Sequence, residues 1–410
     1  MTANARTGMK KRCAPKALQH ITLREVHVDR IARDPIHDTT TKAFYVTFLA
    51  HFTVDGERKD IQNQLTWLQL LPDLATKHSD DALVLALQAT ATAYGAIMSS
   101  NASMTKHAAE LYGTALRAHH ILLQKSGSKH NITIHAVSTS VLLSFFEAMQ
   151  ATTTDAYRVH IYGAAKLLEI TGPGECAYGV LCQLFYHVRT QIVFIQLASS
   201  HHSPPMSTKE ILYDTLLYKN PPLIQRLMCC IVKLNVLGAA TSNAIGQDGM
   251  AFPSLRLQVD HLWNEYSQQR GDNTKQHDAI MGSDSFSDGY MALTMAYFGS
   301  AKILLAIRGP NIVDPADSEH NFQLILDAAT YLDTHHNAIA FMRMATPLVL
   351  VALYAQCHEQ YQGAINIFEI WLKSGMRGIS TLALDAVSRQ AGEAHNVRGY
   401  NMFPGFYERR

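Results

Sequence analysis

Hydrophobic residues recur at every third or fourth position along most of this chain, which is the spacing of one face of an α-helix. The segment after Ser79 is an example, with Leu83 and Leu87 on one stripe and Asp81 suited to a first helical turn behind a Ser79 N-cap. Alternating patterns typical of strands are scarce. We therefore predict an all-α fold, an irregular multi-helix bundle. The predicted helices span residues 79–97, 106–124, 132–150, 155–170, 178–197, 221–240, 253–269, 288–307, 318–336, 346–373 and 379–390.

Polar segments indicate how these helices are organised along the chain. Residues 270–289 are rich in Gly, Asp and Ser, and we predict a polar insertion there, between two helical halves. Residues 1–35 are predicted to be a basic, disordered tail. Residues 36–410 are then assigned to the helical domain.

Two predicted helices end at a glycine followed by proline, at Gly172 and at Gly309. Glycine suits the left-handed position just past a helix, and a proline next to it cannot continue the helix. We therefore predict the same C-terminal cap at both positions.

The charge balance restricts the class of partner. The chain has 410 residues, with 35 Lys and Arg against 34 Asp and Glu, so its formal net charge is +1. A balance near zero argues against a partner bound by the charge of the whole chain, such as duplex DNA or an acidic membrane. The most apolar late stretch, 347–357, is shorter than the roughly 20 residues that span a bilayer, so we expect no membrane association.

Residue patterns typical of enzymes and metal sites are absent from the sequence. The nucleophile pattern GxSxG, the zinc pattern HExxH and the glycine loops that bind phosphates do not occur. The six cysteines include no CxxC pair, and adjacent histidines such as His119 and His120 point about 100° apart on a helix. We therefore predict no catalytic residue, no metal and no cofactor, with reduced and mostly buried thiols.

A basic cluster lies near the start of the chain. It consists of Lys10, Lys11, Arg12 and Lys16, and no Phe, Tyr or Trp interleaves the basic residues there. Such a cluster is typical of a nuclear-import signal or of contacts to phosphates, and a solvated tail is the alternative interpretation. Without aromatic residues it is not expected to stack single-stranded bases.

Seven segments form an ordered set that resembles a known family. They are FYVTF at 44–48, WLQLLP at 67–72, ALVLALQATATAYG at 82–95, LYGTAL at 111–116, VLLSFFE at 141–147, HIYGAA at 160–165 and TGP at 171–173. In this order they resemble the helical regulatory domain of the fungal zinc-binuclear-cluster transcription factors, over about residues 43–193. The resemblance implies a nuclear regulator of transcription, of a kind that often controls a biosynthetic gene cluster, including clusters for secondary metabolites.

The chain departs from that family in its first residues. Members carry a zinc cluster of six cysteines, opening with C-x2-C, ahead of the helical domain. This region contains Cys13 alone, and one thiol cannot hold two zinc ions. We therefore expect no direct sequence-specific DNA binding, and regulation through another transcription regulator, a homodimer or a small effector. An enzyme or an interaction scaffold on a helical domain is the alternative.

Within the resembling segments, Glu147 and His160 stand out as polar residues among apolar ones. A carboxylate next to two phenylalanines is costly to bury unless it pairs with a donor. We predict a structural polar pair in which His160, or Arg158 on the same helix, is the donor to Glu147.

Overall fold

The computed structural model confirms the all-α multi-helix bundle, because its described residues form thirteen α-helices and a short 3-10 helix with no strand. Several predicted features lie outside these residues: the tail 1–35 with Lys10, Lys11, Arg12 and Lys16, the Ser79 cap, and residues 271–285 of the polar insertion. The structure describes residues 67–77, 81–127, 132–172, 174–177, 179–199, 223–237, 251–270, 286–309, 315–334 and 338–397.

The first group of helices contains the family-like segments from residue 67 onward, and the segment at 44–48 lies outside the described residues. Within it, the fourth helix begins at Thr133, whose side chain accepts a hydrogen bond from the backbone N–H of Ala136, and it ends at Ala151 in the left-handed conformation, with φ of 50°. The group comprises α1 (Trp67–Lys77), α2 (Asp81–Ser99), α3 (Ala102–Gly127), α4 (Ile134–Gln150), α5 (Ala156–Thr171), the 3-10 helix Glu175–Ala177, and α6 (Gly179–Leu197).

The second group of helices follows α6 and finally returns to the first. Its last helix packs against α4 and α11 as well as against its neighbour in sequence, so the end of the chain closes the bundle. The group comprises α7 (Leu223–Leu237), α8 (Ala251–Arg270), α9 (Gly289–Arg308), α10 (Pro315–Thr334), α11 (Ala338–Tyr354), α12 (His358–Ser374) and α13 (Arg377–Val397).

One contiguous apolar core joins the two groups. Helices α4 and α6 lie at its centre, since nearly every residue of α4 and every residue from Leu184 to Ile195 of α6 is buried. Helix α6 packs against α4 and α5 on one side and against α11 on the other. The two predicted halves therefore share a single core, because burial of α6 requires helices from both.

Two helices among the described residues, α2 and α9, are long and apolar enough to cross a membrane by length and composition alone. In the folded chain, 67% of the apolar window of α2 and 78% of that of α9 are buried against other helices. The central helices of a folded bundle have the same composition, because their whole circumference is buried.

The predicted helix 346–373 is wrong, because α11 and α12 are separate helices with a break between Tyr354 and His358. Helix α11 also begins earlier than predicted and contains Pro347 in its interior. Proline has no N–H to donate to the carbonyl four residues back. That carbonyl, of Arg343, accepts a hydrogen bond of 2.9 Å from the hydroxyl of Tyr297 instead. A tertiary contact thus satisfies the group that the proline leaves without its helical partner.

Two further differences concern helix boundaries. Helix α1 was not predicted. The shared cap at Gly172 and Gly309 is also wrong, because Gly172 has a positive φ of 86° whereas Gly309 is extended, with φ of −73°. Both glycine N–H groups still bond to the carbonyl four residues back, so the helices end alike in hydrogen bonding but not in backbone conformation.

Candidate functional site

Residues from three of the family-like segments meet where α3, α4 and α5 pack together. The rings of Tyr112 on α3 and Phe146 on α4 are stacked, with centroids 4.1 Å apart and planes inclined by 7°. The ring of His160 on α5 lies edge-on to Tyr112 at 6.0 Å. The aromatic contacts bring the polar ends of these side chains close to Glu147, the last residue of the VLLSFFE segment.

The side chain of Glu147 is fully buried, and its hydrogen bonds fix the turn between α4 and α5. Its carboxylate accepts from the backbone N–H of Thr152 at 2.8 Å and from the Thr152 hydroxyl at 2.5 Å. The left-handed Ala151 reverses the chain after α4, and this brings Thr152 back to the carboxylate. Both donors belong to the chain immediately after α4, so Glu147 acts as an anchor for the turn.

Glu147 and His160 do not form the predicted direct pair. Tyr112 lies between them and interacts with both. The hydroxyl oxygen of Tyr112 lies 2.8 Å from Nε2 of His160. Burial, followed by hydrogen bonding to Glu147 and by its negative charge, raises the pKa of Tyr112. Arg158, the other predicted donor, pairs with Asp155 three residues earlier on the exposed surface. Sequence spacing could not identify Tyr112 as the intermediate residue, because it lies on a different helix.

The positions of the protons in this bridge follow from the number of hydrogen bonds that each group can donate. A phenol donates one hydrogen bond, and an ionised carboxylate only accepts. If Tyr112 donates to Glu147, then the bond between Tyr112 and His160 requires the proton on Nε2 of the imidazole. The same tautomer leaves Nδ1 of His160 without a proton.

A second histidine, His119 on α3, lies close to this bridge. Its Nε2 is 2.9 Å from the hydroxyl of Ser140 on α4. Burial lowers the pKa of His119 to about 4. Burial, with a contribution from His119, also lowers the pKa of His160 to about 4. Both rings are therefore neutral near pH 7. We refer to Tyr112, His119, Ser140, Glu147, Thr152 and His160 as the polar cluster.

The pair of Ser140 and His119 has the hydrogen bond of a nucleophile and its base, but it lacks the other parts of a hydrolytic site. Only 4% of the Ser140 surface is exposed, which leaves no access for a substrate. Among the residues that the structure describes, Nδ1 of His119 has no hydrogen-bonding partner, so none of their acids orients the ring. The arrangement supports a structural hydrogen bond, and it does not resemble an activated serine.

Metal-binding chemistry finds no support among the residues that the structure describes. No group of three His, Cys, Asp or Glu side chains there converges on a position that could hold a metal ion. The five described cysteines are free, and Cys176, Cys182 and Cys230 are buried. Burial raises the pKa of the Cys230 thiol to about 11, as expected for an inert core thiol.

The residues of the polar cluster differ in how far the sequence could reveal them. Glu147 and His160 were singled out as polar residues in apolar segments, and the structure brings both to the same tyrosine. The sequence did not single out Thr152, Ser140 or His119, because a hydroxyl or a single histidine on a helix does not indicate which residue it will bond. The basic residues Lys10, Lys11, Arg12 and Lys16 lie outside the described residues.

The chain was compared with known protein families, with curated protein sequences and with solved structures, and none of the three comparisons finds a match.

Proposed function

We propose that this chain is a nuclear regulator of transcription of the fungal zinc-cluster type. The observation that carries the proposal is the contact of Tyr112 with both Phe146 and His160 beside the buried Glu147. These residues come from three separate segments of the family-like set. Segments that share a domain architecture are expected to meet in one core, so their convergence supports the resemblance.

The proposal includes a mode of action through contacts with other proteins. The near-zero net charge supports recruitment by another DNA-bound regulator or by a second copy of this chain. A small effector that binds the helical domain would adjust that recruitment. The expected targets are the genes of a fungal biosynthetic cluster, including one for a secondary metabolite.

Catalysis is the competing proposal, and the polar cluster lacks most of the groups that a catalytic site requires. The nearest approach to an active site is the buried Ser140–His119 pair, which lacks an orienting acid and access for a substrate. Neutral histidines and a carboxylate bound to Thr152 suit the positioning of helices. We therefore propose that the chain is not an enzyme. An interaction scaffold without any effect on transcription is the remaining alternative.

The direct test is deletion of the gene, followed by measurement of transcript levels across the genome. We expect transcripts of a group of neighbouring biosynthetic genes to change several-fold, and re-expression of the wild-type chain to restore them. A Lys106→Ala chain, altered at an exposed lysine of α3, is the control and should restore them equally. Unchanged transcripts in the deletion strain under conditions that express the gene would refute the regulatory proposal.

A mobility-shift titration at near-physiological salt tests whether the chain reads DNA itself. We expect weak binding that is equal for a target promoter and for a scrambled duplex, because no element with base-reading side chains is evident. Any contact of the tail with phosphates should weaken with salt by a slope of about −0.9 per phosphate neutralised. Strong preference for the promoter would show direct DNA reading.

Nuclear localisation is tested with a fluorescent fusion. Replacement of Lys10, Lys11 and Arg12 by Ala removes most of the basic cluster and should shift the fusion toward the cytoplasm. A fusion that stays nuclear after the change would place the import signal elsewhere or on a partner.

A further inference from the structure

The five described cysteines differ in their exposure and in the charge beside their sulfur atoms. Three of them are buried, and burial raises the pKa of Cys176 and of Cys230 to about 11, so both thiols keep their protons near pH 7. Cys229 on α7 and Cys357, just before α12, are partly exposed. A cysteine reacts as its thiolate, so the charge next to the sulfur decides which of these two exposed thiols is the more reactive.

The two partly exposed thiols have neighbours of opposite charge. Nη2 of Arg189 on α6 donates a hydrogen bond of 3.1 Å to Sγ of Cys229. The thiol of Cys357 instead donates a hydrogen bond of 2.8 Å to a carboxylate oxygen of Glu359. A guanidinium stabilises negative charge on sulfur, whereas a carboxylate repels it. Among the described cysteines, Cys229 is therefore the one that combines partial exposure with a cationic donor.

The fold holds the guanidinium of Arg189 in place for this contact. Arg189 lies on the central helix α6, and 2% of its surface is exposed. A side chain packed so closely has few other positions to adopt, unlike an arginine on the surface. The low dielectric constant of its surroundings also strengthens its interaction with a charged neighbour. Arg189 therefore acts as a fixed donor to the sulfur of Cys229.

A buried hydrogen-bond acceptor without a partner lies on the same side of α7 as this thiol. Oε1 of Gln225 has no partner among the described residues, and 4% of the surface of Gln225 is exposed. Gln225 precedes Cys229 by four residues, a spacing that makes two side chains neighbours on one face of a helix. The residues one position later, Arg226 and Cys230, bond to side chains of α8 instead. Gln225 and Cys229 therefore share the side of α7 that faces α6.

We propose that Cys229 is a site of reversible oxidation by hydroperoxides, in which Arg189 favours the thiolate and Gln225 accepts a hydrogen bond from the oxidised form. The thiolate sulfur attacks one oxygen of hydrogen peroxide, so that an S–O bond forms and the O–O bond breaks. Sulfur is oxidised to a sulfenic acid, and the departing hydroxide takes up the proton that the thiol released and leaves as water. The sulfenic O–H can then donate to Oε1 of Gln225. This site does not depend on the proposed regulatory function.

The first experiment treats the purified, reduced full-length chain with equimolar hydrogen peroxide in the presence of dimedone, which reacts with sulfenic acids to give a stable thioether. Mass spectrometry of the peptides, with fragment spectra that separate Cys229 from Cys230, gives the labelled fraction at each cysteine. We expect Cys229 to be labelled at least about tenfold more than Cys357, the partly exposed thiol beside a carboxylate. Labelling of Cys229 that is absent, or no greater than that of Cys357, overturns the proposal.

The role of Arg189 is tested with Arg189→Met, which fills a similar volume without the charge. The rate of alkylation by iodoacetamide at pH 7 reports how readily each thiol reacts as its thiolate. We expect the rate at Cys229 to fall about tenfold, and the rate at Cys357 in the same sample to stay unchanged as an internal control. Urea unfolding establishes that the variant folds, and Arg189→Lys, which keeps a cation, should retain more of the rate. An unchanged rate at Cys229 in folded Arg189→Met contradicts the role of the guanidinium.

The role of Gln225 is tested with Gln225→Leu, which removes the acceptor and keeps the size of the side chain. Alkylation of Cys229 by iodoacetamide should proceed as in the wild type, because the contact with Arg189 remains. The sulfenic acid, followed by adding dimedone at increasing times after peroxide, should decay about threefold faster without its hydrogen bond. The matched control is Gln360→Leu on α12, another buried glutamine with an unpartnered Oε1, which should leave the decay unchanged. Equal decay in the wild type and in Gln225→Leu overturns the role of Gln225.

Discussion

The polar cluster, which is partly buried, and the buried side chains of His187 and Gln191 on α6, which we call the α6 pair, differ in how their hydrogen bonds are satisfied. In the polar cluster Glu147, Tyr112 and His160 interact with one another or with Thr152, and Nδ1 of His119 is its one fully buried polar atom without a partner among the described residues. In the α6 pair three polar atoms lack partners. A buried polar group costs stability when its partner is absent, whereas a satisfied network fixes one arrangement of helices. The first region is therefore expected to stabilise the packing of its helices, and the second to contribute less to stability.

The largest expected effect is the pH dependence of stability, to which a buried histidine of each region contributes. The pKa values of His187, at about 3, and of His119, at about 4, lie below the ordinary value of 6.5. The unfolded chain therefore binds more protons than the folded chain, and the free energy of unfolding falls as pH decreases from about 6.5 toward 4. Each proton fully excluded from the folded state contributes about 1.4 kcal/mol per pH unit.

This prediction is measured by urea unfolding between pH 7 and pH 4.5. His187→Phe should reduce the pH dependence in that range, and so should His119→Phe. An exposed histidine such as His120 provides the control, because its replacement by Gln should leave the slope unchanged. A free energy of unfolding that is constant from pH 7 to pH 4.5 would contradict the burial of neutral histidines.

A glycine that borders the polar cluster should give the next largest effect. A Cβ at Gly378 on α13 would clash with the backbone oxygen of Glu147, and backbone cannot move aside without disturbing the anchored turn. Gly378→Ala should destabilise the chain by about 3 kcal/mol. Thermal or urea unfolding measures the change.

Gly163 on α5 is the matched control for this substitution. A Cβ there meets no atom within 4 Å, so Gly163→Ala should stabilise the helix by up to about 1 kcal/mol. Equal effects of the two substitutions would show that α13 does not pack tightly on the end of α4.

The anchor itself is tested by Glu147→Gln, which keeps the shape of the side chain. An amide NH2 would face a donor at Thr152, whose N–H and hydroxyl both donate to the carboxylate. We expect a loss of about 2 kcal/mol, the usual range for hydrogen bonds to a charged group. Glu110→Gln, on the exposed surface of α3, should change stability by less than about 0.5 kcal/mol. If both variants unfold alike, the carboxylate does not anchor the turn.

The smallest expected effect compares the two regions most directly. Replacement of a histidine by Phe should lower the free energy of unfolding in the polar cluster, but leave it unchanged or raise it in the α6 pair. His119→Phe leaves the Ser140 hydroxyl without its partner and should cost about 1 kcal/mol. His187→Phe removes two unpartnered nitrogens and should leave stability unchanged or raise it by up to about 1 kcal/mol. Parallel urea titrations at pH 7 measure both. Loss of stability in both variants would mean that His187 has a partner in solution.

The local pattern of the sequence was sufficient for the fold class and for most helices. Helices α2 to α10 lie within a few residues of their predicted bounds, because amphipathic spacing and turn residues act over one or two turns of chain. The same reasoning placed Glu147 and His160 on two adjacent helices and required a buried partner for the carboxylate. This reasoning failed at Pro347, which lies inside α11. The carbonyl of Arg343, which the proline cannot bond, accepts a hydrogen bond from the hydroxyl of Tyr297, 46 residues away in sequence.

The tertiary structure alone decided which side chains meet. Tyr112 bridges Glu147 and His160, and Ser140 binds His119, because α3, α4 and α5 pack at one particular depth and rotation. Position 378 likewise requires a glycine because α13 approaches the end of α4 closely there. A helix can be inferred from hydrogen bonds that its own residues make. A partner on another helix depends on long-range packing, which no short stretch of sequence contains.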